Sequence, residues 1–412
     1  MSKWMPRKLG FSILSLLTAT SSAYANTDFE QCKTQLSQQA VEQGVKEETA
    51  KAVFANIQYQ PRVISLDRSQ PEFVQTFPGY YSKRVTAWRI GKGREMYAKH
   101  KELLNSLSHK YGVPAHYLVA FWGLETNFGG YKGKMNVLNS LATLACDERR
   151  SSYFSKELVT AVKLLERESL DQTKMVGSWA GAMGHTQFMP SAYMNYAIDG
   201  DGDGQINLWD SEEDALASAA NFLSQLGWQP GFRWGREIQL PDNFDYRETG
   251  YKNRRSITEW NESGIKKADG SALGNSDEKG YVVVPAGHNG PAFIAYHNFR
   301  IIMRWNNSEF YAIAVGKLAD QISGEAGIDK ALPELPAYTR DDILRLQTAL
   351  NASGYDVGKP DGIIGPATRA GIREYQLASN LIADGFPGLD VMKAIGVLPD
   401  EPKESDGNKE SE

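Results

Sequence analysis

From Ala115 to Leu124 the chain is helical in pattern and apolar, and it closes on a single acid, Glu125. The local sequence is Ala120-Phe121-Trp122-Gly123-Leu124-Glu125-Thr126-Asn127-Phe128-Gly129-Gly130. Aromatics flank the acid and glycines follow at once. A carboxyl at such a helix end lies partly desolvated and can face a cleft. Desolvation raises a carboxyl pKa, and a carboxyl still protonated near neutral pH can act as a general acid. A lone helix-end acid more often bonds only neighbouring backbone, so the reading needs support from elsewhere in the chain.

That support comes from Gly177-Ser178-Trp179-Ala180-Gly181-Ala182-Met183-Gly184-His185-Thr186-Gln187-Phe188-Met189-Pro190-Ser191-Ala192-Tyr193. Its small residues let backbone approach another group closely. Ser178 and Gln187 offer neutral hydrogen-bonding groups, and Trp179, Phe188, Met189 and Tyr193 offer apolar faces. Flat faces for pyranose rings and amides for N-acetyl groups make a sugar cleft. A tight helix–helix contact would use the same small residues.

A third pattern follows directly: Asp199-Gly200-Asp201-Gly202-Asp203-Gly204-Gln205-Ile206-Asn207-Leu208-Trp209-Asp210. Side-chain oxygens stand at loop positions 1, 3 and 5, glycine at 6, an apolar residue at 8 and an acid at 12, as in a calcium loop. Gln205 would bind through its carbonyl. Acids this close repel one another unless a cation lies among them. Asp210 is shorter than the usual glutamate at position 12. Calcium is thus the expected cofactor, in a structural role that fixes the cleft wall; no organic cofactor is expected.

The first residues read as an export signal. Lys3, Arg7 and Lys8 precede the apolar stretch Leu9–Ala19, and Ala23-Tyr24-Ala25 is a small-x-small cleavage site. The mature chain is expected to begin at Asn26. The apolar stretch is too short to span a bilayer, and no other run is long enough. Phe29-Glu30-Gln31 before Cys32 argues against a lipid anchor, so a soluble periplasmic protein is expected. An exported chain with two cysteines, Cys32 and Cys146, permits one disulfide. A net charge of −5 and a pI near 5.8 argue against a nucleic-acid partner.

The pattern is mostly α. Helices are expected over residues 28–58, Arg94–Tyr111, Ala115–Leu124, Ser155–Glu168, Glu212–Leu226 and Ser308–Ile322. Short β runs, Arg233–Leu240, Gly280–Pro285 and Pro291–Tyr296, suggest a small β insertion over about 229–297. A linker with Pro333 and Pro336 covers 327–338. A compact unit of three helices follows over 339–398, with Asp361-Gly362-Ile363-Ile364-Gly365-Pro366-Ala367-Thr368 between its first two helices. Residues 399–412 read as a disordered tail.

Over residues 28–324 the chain resembles the lytic murein transglycosylases of the membrane-bound B type. The likeness rests on Trp122-Gly123-Leu124-Glu125-Thr126, Leu141-Ala142-Thr143-Leu144-Ala145, Arg149-Arg150, the run Gly177–Tyr193, Asn207-Leu208-Trp209-Asp210 and Tyr311-Ala312-Ile313-Ala314-Val315. The C-terminal unit looks like the common three-helix peptidoglycan-binding domain. The resemblance implies an α+β, mainly α fold: a lysozyme-like catalytic domain over 26–326, then the wall-binding domain. It implies cleavage of peptidoglycan strands between N-acetylmuramic acid and N-acetylglucosamine, leaving a 1,6-anhydro ring. Glu125 would be the catalytic residue. Ser178, Gln187, Tyr193, Arg149 and Arg150 would bind substrate, and Asn306, beside Trp305, matches a cleft position loosely. The last calcium ligand of the family corresponds to Asp214, with Asp210 as a helix cap or alternative ligand. His185 is expected to be structural. Glycan strands are the expected partner, and other cell-wall enzymes are candidates. A hydrolytic muramidase and a non-enzymatic wall-binding scaffold are the rival readings.

Overall fold

The structure is a computed structural model and describes residues 17–69 and 75–397. The expected export signal lies outside the described residues up to position 16, and the tail expected over 399–412 lies outside them entirely. In chain order come α1 (Leu17–Glu42), α2 (Glu47–Ala55), α3 (Pro61–Ser69), α4 (Phe77–Arg84), α5 (Ala87–Lys99), α6 (Lys101–Tyr111) and α7 (Ala115–Thr126). Next are β1 (Met135–Asn136), α8 (Val137–Ala145), α9 (Ser151–Arg167), β2 (Val176–Gly177), α10 (Pro190–Tyr196) and α11 (Glu212–Gln225). The β region holds β3 (Gly235–Gln239), β4 (Arg255–Ser256), α12 (Ile257–Glu262), β5 (Lys266–Lys267), β6 (Lys279–Val283) and β7 (Ala292–Ala295). Then α13 (His297–Trp305) and α14 (Glu309–Ile322) precede α15 (Arg340–Ala352), α16 (Pro366–Ala378) and α17 (Leu389–Ala394). Among the described residues, no helix is long and apolar enough to cross a membrane.

Two compact units divide the chain: Met1–Arg68 with Lys132–Asn195, and Ser69–Tyr131 with Tyr196–Glu412. In the first, α8 packs on α9, and α1 packs on α2 and α9. All of α8 except Asn139 is buried, so it forms the centre of this unit. A disulfide joins Cys32 on α1 to Cys146 at the end of α8, 114 residues apart in sequence.

The second unit is built around α7. Every residue of that helix is buried except His116 and Glu125. Helix α14 lies against it and also accepts the Trp234 ring: a Cβ at Gly316 would sit 2.2 Å from that indole. The Trp234 Nε1–H donates to Asp320 of the same helix. A five-stranded antiparallel sheet, in the order β4-β6-β7-β3-β5, extends this unit. Trp260, fully buried, bonds from its indole N–H to the Gly280 carbonyl.

Several elements differ from the sequence expectation. The helix expected over Arg94–Tyr111 starts at Ala87 and breaks at His100, which caps both α5 and α6. The His100 ring turns inward, edge-on to Trp122 at 5.7 Å, so a tertiary contact overrides helical periodicity. Helices α12 and α13 were not anticipated, because each is short and lies next to strand. The linker is not loose. Glu237 accepts the backbone N–H groups of Asp329 and Lys330, and Ile328, Leu332 and Leu335 pack on the main core.

The C-terminal module closes around two buried glutamines. Gln347 accepts from the Asp361 and Gly362 amides and donates to Asp361, Ile363 and Thr368, so it satisfies the Asp-Gly turn of the motif. Gln376 repeats the device on Asp384-Gly385-Phe386. Asp384 also accepts from the His288 backbone and pairs with its ring, and Arg373 reaches Thr249.

Closing a loop of this length removes denatured-state entropy worth roughly 4–5 kcal/mol in the chain-entropy view. The Cys32→Ser, Cys146→Ser variant should therefore melt several degrees lower than the oxidised wild type in calorimetry. Reductant should move the wild type but not the variant. Equal melting of both proteins under oxidising conditions would remove the disulfide from the stability account.

Candidate active site and metal loop

The end of α7 is shaped by two consecutive left-handed residues, Asn127 (φ 52°) and Phe128 (φ 59°). Non-glycine residues seldom adopt this conformation, and the surroundings must hold it. The Asn127 Oδ1 accepts from Arg89, and the Thr126 hydroxyl accepts from the Gly129 N–H. The chain then folds the Phe128 ring back over Gly123, where a Cβ would lie only 2.7 Å from the ring. Gly123 is thus needed for the close approach that ends the helix just past Glu125.

Glu125 is half-buried. Its Oε1 accepts two hydrogen bonds, from the Tyr311 hydroxyl at 2.5 Å and from the Trp305 indole N–H at 3.0 Å. Its Oε2 accepts none among the described residues. Burial pushes the carboxyl up to about 7; the Tyr311 and Trp305 bonds and the Arg84 charge pull the other way without cancelling it. No other carboxylate contributes to that shift. Trp305 is fixed by stacking on Phe121 and Phe222, at 4.5 and 5.1 Å between centroids. Tyr311 lies in the first turn of α14 and is buried, and its own pKa is raised by desolvation and by Glu125, so it stays a donor. A protonated Glu125 therefore carries its proton on Oε2, the oxygen not engaged by donors.

Ser178 and Gln187 lie in the other compact unit. The Ser178 hydroxyl accepts from the Ala182 N–H at 3.0 Å. Gln187 has a positive φ of 51° and donates from its amide to the Gly184 and Lys132 carbonyls. The small residues here serve backbone-to-backbone approach: a Cβ at Gly133 would meet the Gly177 carbonyl at 2.0 Å, and one at Gly177 the Ala182 carbonyl at 2.1 Å. His185 is buried.

Two expectations are corrected. Tyr193 is fully buried on α10 and has no face to offer a sugar. Arg149 and Arg150 are not waiting for substrate carboxylates. Arg149 makes a bidentate pair with Asp67 at 2.9 Å, Arg150 binds the same carboxylate, and Asp67 is only 2% exposed. A buried carboxylate requires such compensation. Asp67 stands alone as an acid in Val63-Ile64-Ser65-Leu66-Asp67, and that isolation within an apolar turn was its sequence signal. Asn306 is exposed at the end of α13. The role of Tyr311 was missed; it is the polar aromatic in the first turn of α14, directly before the small and apolar run Ala312-Ile313-Ala314-Val315.

In the loop before α11, one ligand atom each from Asp199, Asp201 and Asp203 lies within 4.8 Å of the others. Asp214, 1% exposed, spans the loop from beneath: Oδ1 accepts from the Gly200 N–H and Oδ2 from the Asn207 N–H. Asp210 is exposed and accepts from the Asn207 side chain. Gln205 donates its N–H to Asp203. A convergent set of hard carboxylate oxygens fits a calcium ion.

With this geometry, the comparisons are specific. Residues 28–320 match the family model for the transglycosylase SLT domain, and 339–395 match a peptidoglycan binding domain. The chain is 35% identical over 250 residues to the membrane-bound lytic murein transglycosylase B of Escherichia coli. That match covers 59% of this chain and 66% of the relative, just under two thirds of the latter's length. Among solved structures, SltB3 from Pseudomonas aeruginosa in complex with NAG-NAM-pentapeptide superposes with a TM-score of 0.85 at 41% identity, covering 89% of this chain and 99% of that one. The Escherichia coli lytic transglycosylase Slt35 in complex with calcium gives a TM-score of 0.61 at 30% identity, covering 71% of this chain and 92% of that one. The chain belongs to the SLT-domain transglycosylase family, and its mainly helical architecture is the one that membership implies.

Because burial holds Glu125 protonated to higher pH than in the unfolded chain, its stabilising share is complete below about 4.5 and is lost as pH rises through about 7. Gln does not titrate. The melting-temperature difference, Glu125→Gln minus wild type, should therefore become more positive from pH 5 to pH 8. A pH-independent difference would contradict the raised pKa. Tyr311→Phe removes a bond that favours the carboxylate. The alkaline limb of activity should then move to higher pH while kcat falls about tenfold or more; an unmoved limb would remove Tyr311 from the acid's environment.

Proposed function

We propose that this protein is a lytic murein transglycosylase. It cleaves the β-1,4 bond between N-acetylmuramic acid and N-acetylglucosamine and closes a 1,6-anhydro ring on the muramyl product. The observation that carries this reading is the single carboxyl of Glu125, raised to about 7 and free of any second acid among the groups that shift it. Ordinary glycosidases need two carboxylates. One suffices when the substrate brings its own nucleophiles.

Glu125 gives its Oε2 proton to the glycosidic oxygen, and the bond to the anomeric carbon breaks. The muramyl N-acetyl oxygen stabilises that carbon. The carboxylate so formed is held by Tyr311 and Trp305 at Oε1. It then takes the proton of the muramyl 6-hydroxyl, whose oxygen attacks the anomeric carbon, and Glu125 is again protonated. Ser178 and Gln187 in one unit, and Asn306 in the other, are each proposed as sugar-binding residues.

Calcium belongs to this reading as a structural ion. Asp199, Asp201, Asp203, the Gln205 carbonyl and Asp214 or Asp210 would hold it, and its role is to order the loop ahead of α11. The module over 339–395 would keep the enzyme on the wall polymer. The same reading places the protein in the periplasm, exported through the leader of residues 1–25 and soluble.

Mass spectrometry of digested sacculi tests the reaction. Products one water lighter than hydrolytic muropeptides are expected, and the Glu125→Gln protein should release none. Products of hydrolytic mass would make the protein a muramidase, and release of either by Glu125→Gln would remove the acid. Calcium should raise the melting temperature, and Asp199→Ala with Asp203→Ala should abolish that rise. No response of the wild type to calcium or chelator would leave the loop an acidic turn.

A further inference from the structure

A cavity of about 560 Å³ opens between β6, α13 and the segment after α11. It holds four cationic side chains, Arg254, Lys279, Arg300 and Arg304, and one acid, Glu278. A smaller recess shares Arg300 and Arg304 and adds Glu309. The protein as a whole carries −5, so this concentration of positive charge runs against the rest of the chain. Among the described residues, none of the four cations forms an ion pair, whereas Arg149, Arg150, Arg233, Arg247 and Arg255 all do.

The three arginines among them are also held in place. The Tyr251 ring is flanked by the guanidinium of Arg300 at 3.6 Å and that of Arg254 at 4.0 Å. The Arg254 guanidinium also donates to the Tyr251 hydroxyl, and Tyr251 stands edge-on to Tyr281. Arg304 is tied to the Leu226 carbonyl at 2.8 Å. Stacked guanidiniums keep N–H groups available in a fixed fork, the geometry that suits carboxylates. Glu278 does not offset them fully. It is one acid against four cations, and its Oε1 is buried without a partner.

Position gives the cavity a use. Arg300 and Arg304 lie on α13, and the next residue after Arg304 is Trp305, which donates to Glu125. A polymer strand whose sugar is held at Glu125 carries peptide side branches with free carboxylates. We infer that the cavity lined by Arg254, Lys279, Arg300 and Arg304 is a carboxylate-recognition site for the peptide branch of the wall polymer, and that it favours peptide-bearing over naked strands. This inference rests on the proposed function.

The test uses the full chain in two arms. In the first, an isolated stem peptide is titrated into the Glu125→Gln protein by calorimetry, a readout that needs no catalysis. Binding is expected, and Arg254→Gln with Arg300→Gln should weaken it about tenfold or more. Lys279→Glu, on the exposed end of β6, gives a second variant that leaves the stacked arginines intact and should also weaken binding. In the second arm, the ratio of kcat/KM on peptide-bearing strands to that on strands stripped of peptide should fall about tenfold in the arginine variant. No peptide binding, equal binding by all variants, or an unchanged ratio would overturn the site. If wild type made no anhydro products from either substrate, the proposed function would fail instead, and the calorimetric arm would still decide the cavity. Citrate or phosphate displacing the peptide completely at equal concentration would overturn it too, as a general anion site.

Discussion

The burial of α7 is the constraint on which the rest depends. A helix that hides every side chain but two must have core on nearly all sides. Helices α5, α6, α11 and α14 provide part of it. Of the two positions left, His116 is lowered to about 4 by desolvation and stays neutral, which suits a group with little water. Glu125 is left at the helix end as a carboxyl with poor solvation, and that deprivation is what the proposed reaction draws on. The same packing that stabilises the unit therefore sets the pKa of the acid.

The donors to Glu125 answer an opposing need. A carboxyl that is only buried would be costly to ionise once it had lost its proton. Tyr311 and Trp305 stabilise the carboxylate at one oxygen and leave the other without a donor among the described residues, the oxygen that the proposed proton transfer uses. Each donor is fixed by structure with its own reason to exist. Tyr311 lies in the first turn of a helix whose glycine makes room for Trp234, and Trp305 ends α13 with its indole packed on Phe121 and Phe222. The acid is tuned by residues 180 and 186 positions away in sequence.

That distance explains what the sequence could show. Glu125 was legible because an acid at the end of an apolar helix is a local anomaly. The Asp199–Asp203 spacing was legible for the same reason, as were the Asp-Gly turn of the C-terminal module and the larger helices. Tyr311, the partners of Asp67 and the burial of Tyr193 were not, because each is settled by residues far along the chain. Arg149 and Arg150 are instructive. Adjacent arginines suggested a receptor for anions, and only the fold reveals that a buried aspartate claims both. Arg254 and Arg300 drew no notice in the sequence, yet among the described residues neither forms an ion pair while they share one cavity. The small residues of Gly177–Tyr193 do allow close approach, but at Gly177 and Gly181 the Ala182 backbone and the Leu141 side chain of the same unit fill that space.

The central claim is that one carboxyl, kept protonated by burial and oriented by two donors, is the acid and then the base. The direct measurement is the ionisation of Glu125 itself, followed as the carboxyl band lost between wild-type and Glu125→Gln infrared difference spectra across a pH series. A protonated carboxyl that disappears with a midpoint near 7 is the expected result. A midpoint in the ordinary glutamate range, about 4.3, would mean that Glu125 is ionised at neutral pH and has no proton to give to the glycosidic oxygen.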